Sequence, residues 1–346
     1  MSLATALLGL TWLSVTAYAL LGGADFGTGF WDLIAGDPQH GRPRRTLIEH
    51  SIGPVWEANH VWLIFVLVVV WTAFPPLFAA VASTLYIPLT LVAIGVITRG
   101  SAFAFRKAVT EDWQRRLFGA AFAFSSVITP FFLGTIAGAI ASDRVPPGLA
   151  RGNIITSWAN PTSLTCGILA VGVCAYLAAI YLTADARRDE HIELAEYFRR
   201  QGLISGILVG MLALAAIAVV HSDANQLYQR LTHRGVALIA ASIAMGLLSL
   251  LLLTRRRYIA VRASAALAVT ALLWGWAIAQ YPQLLPGLNL DQAAAPHATM
   301  QATAITTAIG FIVLTPSLAW LFILFQANTG EQRQQLNVRT RPRPRP

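Results

Sequence analysis

Leu203-Ile204-Ser205-Gly206-Ile207-Leu208-Val209-Gly210-Met211-Leu212-Ala213-Leu214-Ala215-Ala216-Ile217-Ala218-Val219-Val220 is an apolar run without one ionisable side chain. A helix rises about 1.5 Å per residue, so roughly 20 such residues cross the ~30 Å hydrocarbon core of a bilayer. Working outward from this run, the same reading applies at Ala4–Ile34, Pro54–Phe74, Leu77–Thr98, Leu117–Ile140 and Leu164–Thr183 before it, and at Val236–Leu253, Ile259–Gln280 and Ala304–Phe325 after it. The expected fold is an all-α, polytopic transmembrane helix bundle of about nine spans. Hydrophobic residues make up 56% of the 346 and charged residues 12%, against about a quarter charged in soluble domains. Residues 1–330 read as a single transmembrane domain. Residues 331–346, ending Arg-Pro-Arg-Pro-Arg-Pro, read as a disordered basic tail, because proline removes helix hydrogen bonds.

Charge sets the expected orientation. Of the 25 Lys and Arg, 21 fall in the loops between spans 1 and 2, 3 and 4, 5 and 6, 7 and 8, Arg262 included, and in the C-terminal tail. The remaining four, Arg144, Arg151, Arg230 and Arg234, lie on the opposite side. The positive-inside rule then places the N-terminus outside and the C-terminus in the cytoplasm. The net charge of +9 is accounted for by topology and anionic lipid headgroups, and no nucleic-acid partner is expected. The N-terminus carries no basic residue ahead of its apolar run and reads as the first span rather than a cleavable signal. Cys166 and Cys174 lie in one span and read as small apolar fillers. Glycines at four-residue spacing, Gly23 and Gly27, Gly134 and Gly138, and Gly202, Gly206 and Gly210, mark faces where helix backbones approach closely.

A carboxylate inside a span is costly and is a functional candidate by default. Asp25 lies in Gly22-Gly23-Ala24-Asp25-Phe26-Gly27-Thr28-Gly29, and Asp32, nearer the boundary, reads as solvated. Glu57 lies in Pro54-Val55-Trp56-Glu57-Ala58-Asn59-His60-Val61-Trp62-Leu63-Ile64, where Pro54 opens a helix. Glu57 and His60, three residues apart, share a helix face and are suited to passing a proton. The alternative for this segment is a helix cap with Trp56 and Trp62 as interfacial anchors. Arg99 reads as a cation snorkelling from the end of the third span, with pairing to Asp25 or Glu57 as the other reading.

Haem in membrane bundles is held by His, or by His and Met, from inside the bundle. Five of the seven histidines fall in loops or interfacial segments; His60 and His221 are expected near opposite surfaces, so no haem or metal site is expected in this chain. Gly-rich nucleotide loops, Cys-x-x-Cys and His-Glu-x-x-His are missing, and no catalytic residue is assigned.

The two motifs together, Gly23-Ala24-Asp25-Phe26-Gly27-Thr28-Gly29 and Pro54-Val55-Trp56-Glu57-Ala58-Asn59-His60-Val61-Trp62-Leu63-Ile64, with Arg99, Asn160-Pro161 and Thr315-Pro316 further on, resemble subunit II of cytochrome bd-type quinol oxidases. The resemblance implies a haem-free subunit of a bacterial inner-membrane complex that oxidises quinol and reduces dioxygen to water. Haems b and d would belong to a partner, subunit I. This chain would contribute assembly, stability and cytoplasmic proton access through Asp25, Glu57 and His60. Trp56, Asn59, Trp62 and Arg99 would shape the helix start, contact the partner or line an oxygen path. A structural quinone or lipid and small accessory subunits are compatible with it. Many members carry Asp where this chain has Glu57, which keeps the carboxylate with a reach one methylene longer. The competing readings are an ion-coupled secondary transporter, expected to show an inverted repeat that the sequence does not display, and a purely structural scaffold.

Overall fold

In a computed structural model the protein is described at residues 2–36, 41–52, 56–314, 316, 317 and 320; the side chains of Trp56 and Glu57 lie outside what is described, as do Pro54, Thr315 and the 331–346 tail. The first crossing, Leu3–Leu33, is one 31-residue path. It comprises α1 (Leu3–Ala17), a π-turn (Tyr18–Gly22) and α2 (Gly23–Leu33). Ser2 opens it, its hydroxyl accepting from the Thr5 amide at 3.2 Å. Then follow α3 (Arg42–Ile52), α4 (Trp56–Ala73), α5 (Pro75–Thr84), α6 (Tyr86–Ala108) and α7 (Asp112–Ala141). The chain continues with α8 (Pro161–Arg188), α9 (Ile192–Asp223), α10 (Asn225–His233), α11 (Val236–Thr254) and α12 (Tyr258–Gln280). A short antiparallel hairpin, β1 (Gln283–Leu285) with β2 (Leu288–Asn289), and α13 (Leu290–Ala293) close this first compact unit at Ala295. The second unit begins at Pro296 and carries α14 (His297–Leu314).

Among the described residues eight helices are long and apolar enough to cross a membrane, and nine if the bent pair Ala58–Ala73 and Pro75–Thr84 is one crossing. The all-α bundle is therefore as the sequence reads, but two boundaries differ. The third span does not run Leu77–Thr98. Phe74 precedes Pro75, and a residue before proline is kept out of the helical region; its φ of −134° and ψ of 60° stop α4. Helix α5 leaves at 117°, and the crossing helix α6 starts only at Tyr86 and reaches Ala108. The last span begins at His297, seven residues before the expected Ala304.

Small residues centre the bundle on α8. A Cβ on Gly27 would collide with the Cys174 carbonyl and stand 2.7 Å from that of Ala178, and one on Gly134 would be 2.5 Å from the Cys166 carbonyl. Helices α2 and α7 thus press on α8 at backbone distance, and no larger side chain is accommodated. Gly202 and Gly206 meet Leu253 and Leu250 of α11, whereas Gly210, expected to share that role, has nothing within 4 Å.

The chain also repeats itself. Helices α3 and α4 begin at Arg42 and end at Ala73; α9 begins at Ile192 and ends at Asp223. The breaks that follow, Phe74 and Ala224, have φ, ψ of −134°, 60° and −137°, 59°. The short helices start at Pro75 and Asn225, and the next crossings at Tyr86 and Val236. These starts and breaks recur in the second set at one constant sequence offset, the offset from Arg42 to Ile192, whereas the ends of α6 and α11 do not keep it. The two copies are four crossings apart, with α4 counted as one, so they run in the same direction across the membrane. This repeat is invisible in the sequence, because proline makes one break and asparagine follows the other, and it is not the inverted kind that marks many carriers.

Candidate functional site

Helix α2 places Asp25 in its first turn, and α6 places Arg99 opposite it. The guanidinium grips both carboxylate oxygens, Nη1 to Oδ2 at 2.9 Å and Nη2 to Oδ1 at 2.7 Å. Nη2 also donates to the Asp25 carbonyl at 3.1 Å, and Nε donates to the Ser126 hydroxyl of α7 at 2.9 Å. Phe26 and Phe122 flank the cation, their ring centres 4.9 and 4.8 Å from its carbon. Arg99 is 1% exposed.

Taking two ions out of water costs several kcal/mol each, so such a pair persists only with two-pronged geometry and its remaining donors satisfied. Those conditions hold here. Arg99 therefore does not snorkel. The expectation rested on a span ending at Thr98; α6 runs on to Ala108, and Arg99 within it turns into the bundle towards Asp25 rather than outward.

A second rung lies seven residues along both helices. Arg106 Nη1 donates to Asp32 Oδ2 at 3.0 Å, and Arg45 Nε of α3 lies 3.2 Å from Oδ1. The other nitrogen of Arg106 reaches Glu49 Oε1 at 3.0 Å. Asp32 is 5% exposed, so its solvated reading is corrected as well: loop helix α3 covers it and supplies the counter-charge. Asp25 with Arg99 and Asp32 with Arg106 share one sequence separation, 74. Helices α2 and α6 consequently run in the same direction, with rungs two turns or about 10.5 Å apart.

Tyr18, seven residues before Asp25, extends this column in the other direction. Its hydroxyl faces His60 Nδ1 at 3.4 Å, and the His60 and Phe26 ring centres are 6.1 Å apart. Asn59 is buried and donates to the Leu21 carbonyl in the π-turn at 3.3 Å, fastening α4 to the first crossing where its helix widens. Trp62 packs with Leu63 on the cluster of Tyr18, Phe26 and Cys174. The structure thus brings Asp25, Arg99, His60, Asn59 and Trp62 to one side of the bundle. Glu57 and Trp56 join it as first-turn positions of α4.

Sequence reading missed Tyr18, Ser126, Arg106, Arg45 and Glu49. The signal available was periodic: Tyr18, Asp25 and Asp32 at seven-residue steps, and Arg99 and Arg106 at the same step. The second copy's counterpart of Arg99 is Ser249, whose hydroxyl is 2.6 Å from that of Tyr176 on α8, with both groups buried. At the other end of the bundle Asp223 holds Arg144 at 2.8 Å and accepts from the Thr162 amide and hydroxyl, at 3.1 and 2.6 Å, at the start of α8. Among the described residues no three His, Cys, Asp or Glu side chains are grouped as metal ligands.

Three comparisons bear on this arrangement. A protein of Bacillus subtilis (strain 168), cytochrome bd ubiquinol oxidase subunit 2, is 28% identical over 209 residues, which are 60% of this chain and 60% of that one. Cytochrome bd-I ubiquinol oxidase subunit 2 of Escherichia coli (strain K12) is 26% identical over 181 residues, 51% of this chain and 47% of the relative. The alignments thus span between about half and three fifths of these relatives. The structure of bd oxidase from Geobacillus thermodenitrificans contains a chain of the same fold, with a TM-score of 0.74 at 23% identity, covering 95% of this chain and 100% of that one. The family model for cytochrome bd terminal oxidase subunit II matches residues 3–325, nearly the whole sequence, and the chain belongs to that family.

Proposed function

We propose that this chain is the second subunit of a bacterial inner-membrane complex that oxidises quinol and reduces dioxygen to water. In this reading the redox chemistry resides in subunit I, and this chain supplies assembly, stability and a cytoplasmic route for protons. The N-terminus is outside and the C-terminus cytoplasmic, which puts Glu49, Arg45 and Arg106 at the cytoplasmic mouth.

The observation that carries the proton role is the polar column on one side of the bundle, from Glu49 through Asp32 and Arg106 to Asp25 and Arg99, and on to Tyr18 and His60. Its members have different parts. Both Asp25 oxygens are engaged by one guanidinium, so a proton arriving there must break charge-assisted bonds; Asp25 and Arg99 act as the fixed electrostatic wall of the route. His60 and Glu57, three residues apart on α4, are the groups suited to carry the proton. Asn59, Trp56 and Trp62 set the start of α4, and Trp62 also lines the apolar side open to oxygen.

In this reading the chain itself holds no haem. His60 turns to Tyr18 and Phe26, and His221 lies edge-on to Tyr228 at 4.7 Å between ring centres, so these two histidines do not meet. Haems b and d are accordingly assigned to the partner, and no step is routed through them here. A structural quinone or lipid and small accessory subunits remain compatible with the surface. The carrier reading is not favoured, because the family model for cytochrome bd terminal oxidase subunit II matches residues 3–325.

The test begins with affinity purification from native membranes in mild detergent and a reduced-minus-oxidised spectrum. A co-purifying subunit with b-type and d-type bands is expected, and a colourless protein without a partner would overturn the oxidase reading. In the purified complex, Glu57→Ala is expected to lower oxygen consumption with haem content near normal. Wild-type turnover in that variant would remove Glu57 from the proton route.

A further inference from the structure

The turn between α11 and α12 is Arg255-Arg256-Arg257, three exposed arginines in succession. The acid facing this turn is Glu196, which is already shared: Arg199 lies 2.6 Å from it, Arg256 3.4 Å and Arg200 3.8 Å. Among the described residues no carboxylate pairs with Arg255 or Arg257 at ion-pair distance. Arg106, near the end of α6, is by contrast 19% exposed and neutralised by Asp32 and Glu49, whereas Arg255 and Arg257 are left at the surface.

Below the arginines runs an apolar ridge. Ile243, Leu247 and Leu251 are 47%, 64% and 46% exposed and lie four residues apart on α11, one continuous row of the helix surface that the capping residue Arg255 extends. The row is about 18 Å long, close to half of the ~30 Å hydrocarbon core with the headgroup boundary added. A cation pair at the top of a one-leaflet apolar ridge matches one molecule: a negatively charged headgroup bearing an acyl chain.

We propose that Arg255 and Arg257, with the Ile243–Leu247–Leu251 ridge, form a binding site for an anionic phospholipid in the leaflet where α11 ends. The arginines hold the phosphate and the ridge takes one chain.

The test uses the complex purified from native membranes, titrated with phosphatidylglycerol or phosphatidylcholine, with retained lipids counted by native mass spectrometry. The wild type is expected to keep phosphatidylglycerol in preference to phosphatidylcholine. Losing two surface arginines, at roughly five- to sixfold each, should weaken that binding roughly 30-fold in Arg255→Gln/Arg257→Gln. The equal-charge control Arg115→Gln/Arg116→Gln on α7 should leave it unchanged. Arg255→Lys/Arg257→Lys should retain most of it, which separates loss of charge from loss of folding. Leu247→Ala/Leu251→Ala should also weaken it, because the chain is part of the ligand. Equal losses in both glutamine pairs would mean diffuse attraction and overturn the site. So would displacement by inorganic phosphate at the lipid's own concentration, or a wild type that shows no preference between the two lipids.

Discussion

The two copies of the repeat share a backbone and differ in what they bury. At one position of that backbone the first copy places Arg99 against Asp25, and the second places Ser249 against Tyr176. One is a fully buried ion pair held by two further hydrogen bonds and two aromatic rings; the other joins two neutral hydroxyls. The breaks at Phe74 and Ala224, the short helices and the following crossings are alike, so the scaffold does not require charge at this depth. What requires it is specific to the first copy, and there the charges line up into a column that reaches the surface. The second copy shows what the fold looks like when that demand is absent.

The comparison can be broken most forcefully at Arg99. Arg99→Ala leaves Asp25 buried and unpaired, and a loss of about 3–5 kcal/mol of stability is expected, read as a lowered unfolding midpoint and poor recovery of the purified complex. Replacing both partners, as in Asp25→Leu/Arg99→Met, should recover much of that stability while oxygen consumption stays low. Recovery of both would mean that the pair serves packing alone.

Next in size is the packing on α8, which lies against α2 on the side of the ion pair and against α9 of the second copy. Gly27→Val forces a side chain into the Cys174 carbonyl and Ala178 across the α2–α8 interface. Overpacking of this sort costs roughly 1–3 kcal/mol, and Gly210→Val, with open space at the same motif spacing, should cost far less in the same melt.

The second copy's own pair is predicted to matter less. Ser249→Ala removes the neutral hydrogen bond to Tyr176 and the one donated to the Gly246 carbonyl, worth about 1 kcal/mol each, and turnover of the complex should be unchanged. A large fall in turnover would show that the second copy also carries a functional polar position. The smallest effect is expected at the surface end of the column: Glu49→Gln removes a half-exposed partner of Arg106, a change of under about 1 kcal/mol in stability, and the sensitive measurement is the salt dependence of oxygen consumption.

Much of this molecule was legible from its residues. The crossings follow from apolar runs, since a bilayer offers no water to an unpaired backbone, and Asp25, Glu57 and His60 stood out because charge is costly in such runs. Asp32 and Arg99 were both judged by distance from an expected span end: the α4–α5 bend moved the end beyond Arg99 from Thr98 to Ala108, whereas at Asp32 the end stayed and the loop helix α3 covered it and supplied Arg45. Residue type alone does not say whether a near-boundary ion meets water or a partner.

By itself, then, the sequence determined the solvent: composition and run length dictate a helical membrane bundle, and Gly27 and Gly134 state where backbones must touch. Only the tertiary structure decided that Asp25 and Asp32 each meet an arginine at the same sequence separation, that α3 covers the lower rung, and that the α3–α6 stretch recurs as α9–α11. The physical reason is that apolar patterning acts within one helix, whereas a buried ion pair depends on which neighbour arrives at the same depth, and that is set by the bends and close approaches of the whole bundle.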